Sequence, residues 1–254
     1  MAGHSHSSNI KFRKDRVDSK RAKTFAKLSR MITVAARQGG SVDGNARLRL
    51  AVEKARILSM SKDAIDRAIK KGTGEGDLGD YEEIVYEGYA PGGVALMLDI
   101  LTDNRHRTAA DVRGILDKYG GNLGATGAVS WMFERRGRFL VGPAPDGEPP
   151  LGEDRLLEVV LEIGADDLQR DGETFAVLCQ PNTFAEVKAS LDRLAVPLLH
   201  AELAHVPNQR TVVADEAIAA RIVKLIDALE DHDDVQSVFS NEEFTAAVAK
   251  ALEG

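Results

Sequence analysis

YEEIVYEGYAPGGVALMLDILT, residues 81–102, is where the chain changes character. Both halves are dense in Ile, Val, Leu and Tyr, residues that suit a pleated surface, and Pro91-Gly92-Gly93 between them is a turn signal. The segment predicts two strands, 81–90 and 94–102, joined by that turn. Upstream, apolar residues recur at helical spacing. Downstream, strands and helices mix without strict β-α-β alternation. That combination predicts an α+β multidomain protein that opens with a three-helix domain.

On the upstream side, a helix is predicted from Asp18 or Ser19 to Gln38, where Gly39-Gly40 stops it. At about 100° per residue, Phe25, Leu28, Ile32, Ala35 and Ala36 share one arc, while Lys20, Lys23, Lys27, Arg30 and Arg37 share a second arc largely opposite. One side is read as packing and the other as a cationic stripe. A second helix starts near Asn45 and carries Leu48, Ala51, Val52, Ala55 and Leu58. A third follows Ser61, turns Ile65, Ala68 and Ile69 inward, and ends at Gly72. Residues 1–17 have neither period and read as a flexible basic arm. Residues 18–72 form the helical domain, and residues 73–80 read as a linker.

Downstream, Thr108 and Asp111 approximate a capping box for a helix that runs to Tyr119 and closes at Gly120-Gly121. In AVSWMFE (128–134), Val129, Trp131 and Phe133 alternate onto one face of a strand, followed by a turn at Arg135-Arg136-Gly137 and the strand RFLV. GPAPDGEPP (142–150) is the most loop-like stretch and a boundary. Beyond it the pattern predicts a helix at 154–163, a strand ETFAVLCQ (173–180), a helix opened by Thr183 and Glu186, and a strand LLHAELAHV (198–206). TVVAD (211–215), a helix from Glu216 to Glu230 and a strand VQSVFS (235–240) complete it.

Charge supplies the functional direction. The 254-residue chain carries 33 Lys+Arg against 40 Asp+Glu, a formal net charge of -7. Residues 1–72 hold 18 of those cations and 6 of those anions, leaving 15 and 34 for residues 73–254. A basic front end on an acidic body is the mark of a segment that meets a polyanion. Lys11, Arg13, Lys14, Arg16, Lys20, Arg21, Lys23, Lys27, Arg30 and Arg37 are the candidate phosphate contacts. Charge of this kind does not choose between DNA and RNA and carries no sequence preference. Phe12, among these bases, suits either stacking on a nucleobase or packing on the helices.

Other function classes find less support. No apolar run reaches the ~20 residues of a membrane span, and no hydrophobic h-region follows the first charges, so a cytoplasmic protein is expected. An Arg-rich, acid-poor start is also the composition of an organelle transit peptide. Cys179 is the single cysteine, which excludes a disulfide framework and a Cys-based zinc site. His4 and His6 lack a third ligand, and no metal or cofactor is expected. GGNLGATG (120–127) follows a helix and lacks phosphate-loop spacing. The TDNRHRT segment gathers Asp103, Asn104, Arg105, His106 and Arg107 between a strand and a helix N-terminus, a secondary polar site. It suits anion binding, acid–base chemistry or an inter-domain role. No nucleophile–base order or paired-carboxylate signature accompanies it, so a non-enzymatic protein is expected.

The stretches NIK.RK, VAARQGG, YEGYAPGGVALMLDILTDNRHRT, GGNLGATGAVSWMFERRG and DDVQSVFSN, in this order from Met1 to about Asn241, resemble the YebC/PmpR family. That family also contains the mitochondrial translational activator of cytochrome c oxidase. The resemblance implies two α+β domains after the helical one, with one inserted in the other. Residues 81–137 and 206–254 would form the middle domain and 138–205 the insert. It also implies a cytoplasmic, non-enzymatic DNA-binding transcriptional regulator, or alternatively a ribosome-associated translation factor on ribosomal RNA. Lys11, Arg13, Lys14, Tyr86, Glu87, Gly88, Tyr89, Asn104 and Arg105 match the family pattern. His6, Ser7 and Phe12 depart from it, since the family arm there carries Lys, Trp and His, so no contact of that Trp carries over.

Overall fold

A computed structural model of the chain describes residues 21–74, 80–142, 151–171 and 174–253. The arm, with Lys11, Arg13, Lys14, Arg16 and Lys20, lies outside the described residues, as does the side chain of Arg21.

Three helices come first: α1 (Arg21–Ala36), α2 (Ala46–Ile57) and α3 (Lys62–Gly72). Buried Asn45 organises the first connection. Its Oδ1 accepts from the Leu48 amide at 3.0 Å, opening α2, while its Nδ2 donates to the carbonyls of Ala35 and Gly39 at 2.8 and 2.9 Å, closing α1. Ser61 caps α3 in the same manner. Leu28, Ile32, Leu48, Val52 and Ile65 form the core of this bundle, each such burial contributing about 1.5–3 kcal/mol. At Gly72 a Cβ would stand 2.3 Å from the Thr33 carbonyl oxygen, so α3 seats against α1 only with glycine there.

The chain continues through β1 (Glu82–Tyr89), β2 (Ala95–Thr102), α4 (Arg105–Tyr119), β3 (Asn122–Leu123), β4 (Phe133–Val141), α5 (Glu153–Ile163), β5 (Asp167–Asp171) and β6 (Thr174–Cys179). It closes with α6 (Phe184–Arg193), β7 (Leu198–Pro207), β8 (Thr211–Val213), α7 (Glu216–Glu230), β9 (Val235–Ser240), β10 (Glu242–Phe244) and α8 (Ala246–Glu253). The molecule is an α+β multidomain protein. One sheet has the order β3-β1-β2-β9 and the other β5-β6-β4-β7, beside a short parallel pair β8–β10.

In the first sheet β1 and β2 form the expected hairpin, with Gly92 and Gly93 at φ 76° and 77° in the connection. Helices α4 and α7 cover one face through Val112, Leu116, Ile222 and Leu225 against Leu96, Leu98 and Ile100. Ala95, Met97 and Phe239 face the other way, onto Val129, Phe133 and Ala204. Burial on both faces explains why β2 is nearly all apolar. The second sheet packs α5 and α6 around Phe139, Leu156, Val177, Phe184 and Leu191. Strands β4 and β7 pair from Phe133↔Pro207 to Val141↔Leu198. They run unbroken through the positions 137/138 and 205/206, where the resemblance placed domain boundaries.

Four local expectations are corrected. Helix α4 is capped by Asn104, whose Oδ1 accepts from the Arg107 amide at 3.1 Å, so Thr108 lies inside the helix and is buried. Residues 130–132 form a single 3₁₀ turn that leaves Trp131 62% exposed while Val129 and Phe133 are buried. Arg135-Arg136-Gly137 is no turn but the middle of β4. Gly137 is there because a Cβ would meet the Cys179 Sγ at 2.5 Å and the Phe184 ring at 2.7 Å. Thr183 caps nothing with its side chain, which donates to the Gln180 carbonyl at 3.1 Å instead. Strands β5 and β10 and helix α8 were not expected.

Candidate nucleic-acid interface and the joint beneath it

Helix α1 carries Lys23, Lys27 and Arg30 at helical spacing, and the sequence placed them on an open cationic stripe. The structure turns Lys27 and Arg30 into the protein and leaves Lys23 exposed at the edge of the same contact. Lys27 Nζ donates to the main-chain carbonyls of Glu230, the last residue of α7, at 2.5 Å and of Val235, the first of β9, at 2.7 Å. A cation there meets the negative end of the helix dipole and carbonyls without helical partners. Arg30 Nη1 donates to the Asp233 carbonyl at 2.8 Å and to Asp234 Oδ1 at 3.0 Å, with its guanidinium 5.8 Å from the centre of the Tyr81 ring. Lys23 Nζ lies 3.6 Å from Asp231 Oδ2. The physical reason is charge: DHDD (231–234), which follows α7, sets three acids against the cations of α1. Arg37, beyond the end of α1, remains exposed.

The secondary polar site from the 102–108 segment closes the other side of this joint. Asp234 Oδ2 accepts from the Thr108 hydroxyl at 2.7 Å, from Arg107 at 3.0 Å and from the Thr102 hydroxyl at 3.1 Å. Burial by itself would raise the Asp234 carboxyl. The hydrogen bonds from Thr108, Arg107 and Thr102, with the charge of Arg107, outweigh that and hold it below its ordinary value. Arg107 also bonds Asp103 at 2.8 Å, and the Tyr86 hydroxyl donates to the Arg105 carbonyl at 2.9 Å. Asn104 serves as the cap of α4. The side chains of Arg105 and His106 point to solvent with no hydrogen-bond partner among the described residues. The cleft between the two domains, about 500 Å³, is lined by Lys23, Arg30, Tyr81, Asp103, Arg107 and the 231–234 acids.

Burial drives the Lys27 ammonium down to about 8, against the opposing charges of Glu230, Asp233 and Asp231. Helix α2 adds further contacts. Arg47 pairs with Glu83 of β1, Glu53 lies 3.6 Å from Lys188 of α6, and Leu50 packs on the core of the second sheet. Two sides of the bundle are therefore occupied by the acidic body.

What stays open is the last turn of α2 and α3, where Arg56, Lys62, Arg67, Lys70 and Lys71 are all exposed. Close contacts of Gly72 with Thr33 and Ala36, and of Gly40 with Thr73, place the C-terminal ends of α1 and α3 together. Arg37 thus stands at the same end of the bundle as Lys70 and Lys71. These α3 cations were missed as candidates although KDAIDRAIKK (62–71) displays them at helical spacing on the face opposite Ile65 and Ala68.

A second anchored segment lies on the far side of the first sheet. Glu87, on β1 and 6% exposed, accepts from the amides of Gly127 at 2.7 Å, Val129 at 2.7 Å and Ser130 at 2.8 Å. Burial would raise this carboxyl, and the three amides hold it below its ordinary value. Among the described residues no three His, Cys, Asp or Glu side chains are grouped to hold a metal ion, and no helix is long and apolar enough to cross a membrane.

Comparison with known proteins places this architecture. The chain is 49% identical to a probable transcriptional regulatory protein of Halothermothrix orenii, over 95% of this chain and 94% of that one. It is 47% identical to a protein of the same description from Rubrobacter xylanophilus, over the full length of both. The crystal structure of a conserved hypothetical protein from Aquifex aeolicus superposes with a TM-score of 0.81 at 44% identity, covering 91% of this chain and 93% of that one. The family model described as the TACO1/YebC protein N-terminal domain matches residues 5–75, and that described as the TACO1/YebC second and third domain matches residues 81–242. The chain belongs to the TACO1/YebC family.

Proposed function

We propose that this protein is a non-enzymatic regulator of transcription that binds DNA in the cytoplasm through the phosphate backbone, using its basic N-terminal domain. One observation carries the reading. Residues 1–72 hold 18 Lys+Arg against 6 Asp+Glu on an otherwise acidic chain, and five of these cations stand exposed, Arg56 in the last turn of α2 and Lys62, Arg67, Lys70 and Lys71 on α3. The names borne by the relatives from Halothermothrix and Rubrobacter support the same reading. In it, Lys11, Arg13, Lys14, Arg16, Lys20 and Arg21 reach along the backbone from the arm. Arg37, Arg67, Lys70 and Lys71 seat the bundle, while Lys23, Lys27 and Arg30 hold it to the body. The acidic body limits adhesion elsewhere. The pairing of Asp103 and Arg107 with each other and with Asp234 favours a structural joint over chemistry at 102–108.

The test is a salt titration of full-length protein on a random-sequence duplex, read by fluorescence anisotropy. Binding should weaken linearly in log K against log salt, and each phosphate contact removed by Ala substitution in the arm or at Arg67, Lys70 and Lys71 should flatten that slope by about 0.9. Failure to bind duplex at low salt sinks the DNA reading. Salt-sensitive co-sedimentation with ribosomes in that case would assign the same cations to ribosomal RNA.

A further inference from the structure

Lys23, Lys27 and Arg30 of α1 belong by sequence to the basic front end, yet in the folded chain they meet the acidic knuckle DHDD, residues 231–234, and the main chain around it. Lys23 lies 3.6 Å from Asp231, and Arg30 bonds Asp234 at 3.0 Å and the Asp233 carbonyl at 2.8 Å. Carboxylates here occupy the cations as phosphates would, because both present anionic oxygens to guanidinium and ammonium groups.

The joint is polar. The core of the bundle and that of the first sheet share no residue, and among the described residues Leu50 alone carries the bundle onto an apolar core of the body, that of the second sheet. Domains joined by ion pairs rather than by a large apolar interface are free to move against each other. The cleft of about 500 Å³ beside these pairs admits water and salt, which screen them. Parting also leaves each side provided for. Asp234 keeps Thr102, Thr108 and Arg107 on Oδ2 when Arg30 leaves Oδ1. Lys27, whose burial works against its charge, regains hydration.

We propose that the knuckle is an internal competitor for the phosphate backbone: in the free protein it clamps Lys23, Lys27 and Arg30, and nucleic acid takes these cations over as α1 swings off the body. The proposal rests on the nucleic-acid reading above and adds to it a closed and an open state.

Asp231→Asn with Asp233→Asn loosens the clamp and spares buried Asp234. On a random-sequence duplex followed by anisotropy, this double variant should bind more tightly than the native protein, with a log K against log salt slope steeper by about 0.9 for each cation released. Lys23→Ala should leave the native slope unchanged and flatten that of the double variant by about 0.9. Asp154→Asn with Glu162→Gln, exposed acids of α5, makes the same change in net charge elsewhere and should reproduce little of the gain. Energy transfer between dyes on Ser41→Cys of the bundle and Asp117→Cys of α4 should shift when duplex is added, buried Cys179 taking no dye. Energy transfer unmoved at saturating duplex, a gain matched by the α5 control, or an unaltered affinity of the double variant overturns the clamp while leaving backbone binding intact. Absence of binding by the native protein and every variant overturns both readings.

Discussion

Arg30 in the first helix reaches Asp234 at 3.0 Å across 204 residues of sequence. The same carboxylate is closed on its other oxygen by Thr102, Thr108 and Arg107. One buried side chain thus ties the N-terminal bundle, the end of β2, the first turn of α4 and the start of β9. A buried carboxylate with this many donors is costly to remove, because the cations left behind lose their partner.

Asp234→Ala is therefore expected to destabilise the protein by about 3–5 kcal/mol, measured by urea denaturation. The pH dependence has a definite sign. The folded carboxyl titrates below its ordinary 3.8, so its contribution is complete above 3.8 and is lost as pH falls through that value toward the folded one. The stabilities of the native protein and Asp234→Asn should converge below about pH 3.8.

Lys27 gives the opposite window. Its folded value is about 8 against an ordinary 10.5, so between these limits the unfolded chain binds more protons than the native one. Stability attributable to this residue should rise with pH from 8 to 10.5 and stay flat below 8. The difference between the native protein and Lys27→Met, taken from denaturation curves at a series of pH values, isolates that slope. A slope of the other sign would place the ammonium in a solvated ion pair.

Glu87→Gln replaces a carboxylate by an amide that offers one acceptor oxygen to three backbone donors. A loss of about 2–3 kcal/mol is expected from the charge-assisted bonds. Hydrogen exchange should quicken at Gly127, Val129 and Ser130 before it does in β1, since the loop loses its anchor while the strand keeps its ladder.

Gly137→Ala tests why a glycine sits mid-strand. The new methyl would meet the Cys179 Sγ at 2.5 Å and the Phe184 ring at 2.7 Å. Crowding there should cost about 1–3 kcal/mol, visible as a lowered Tm. If the position were a flexible turn, alanine would be neutral or stabilising.

The elements that could be read from sequence are those whose cause is local. Helical spacing and capping chemistry located α1, α2 and α3, down to Asn45 and Ser61, and the Gly120 stop of α4 followed from its left-handed φ of 81°. The misreadings share a different cause. Gly137 resembles a turn residue until Cys179 and Phe184 arrive from elsewhere. Trp131 fits a strand alternation until Glu87 folds its backbone into a turn. Thr108 resembles a cap until Asp234 engages its hydroxyl. The α1 cations obey their helical wheel, yet the wheel is silent on the acidic knuckle 200 residues away. Short strands such as β5 and β10 owe their existence to the partners beside them rather than to their own composition.

The ribbon formed by β4 and β7 has an architectural consequence. Phe133 and Pro207 stand opposite each other as register partners, so the outgoing and incoming chain meet where the excursion begins. The segment between them leaves and returns at one place, and Leu50 and the Glu53–Lys188 pair steady it from the bundle side. Because its two ends lie side by side, a label or sensor grafted into the intervening segment would leave the connectivity of the remainder untouched.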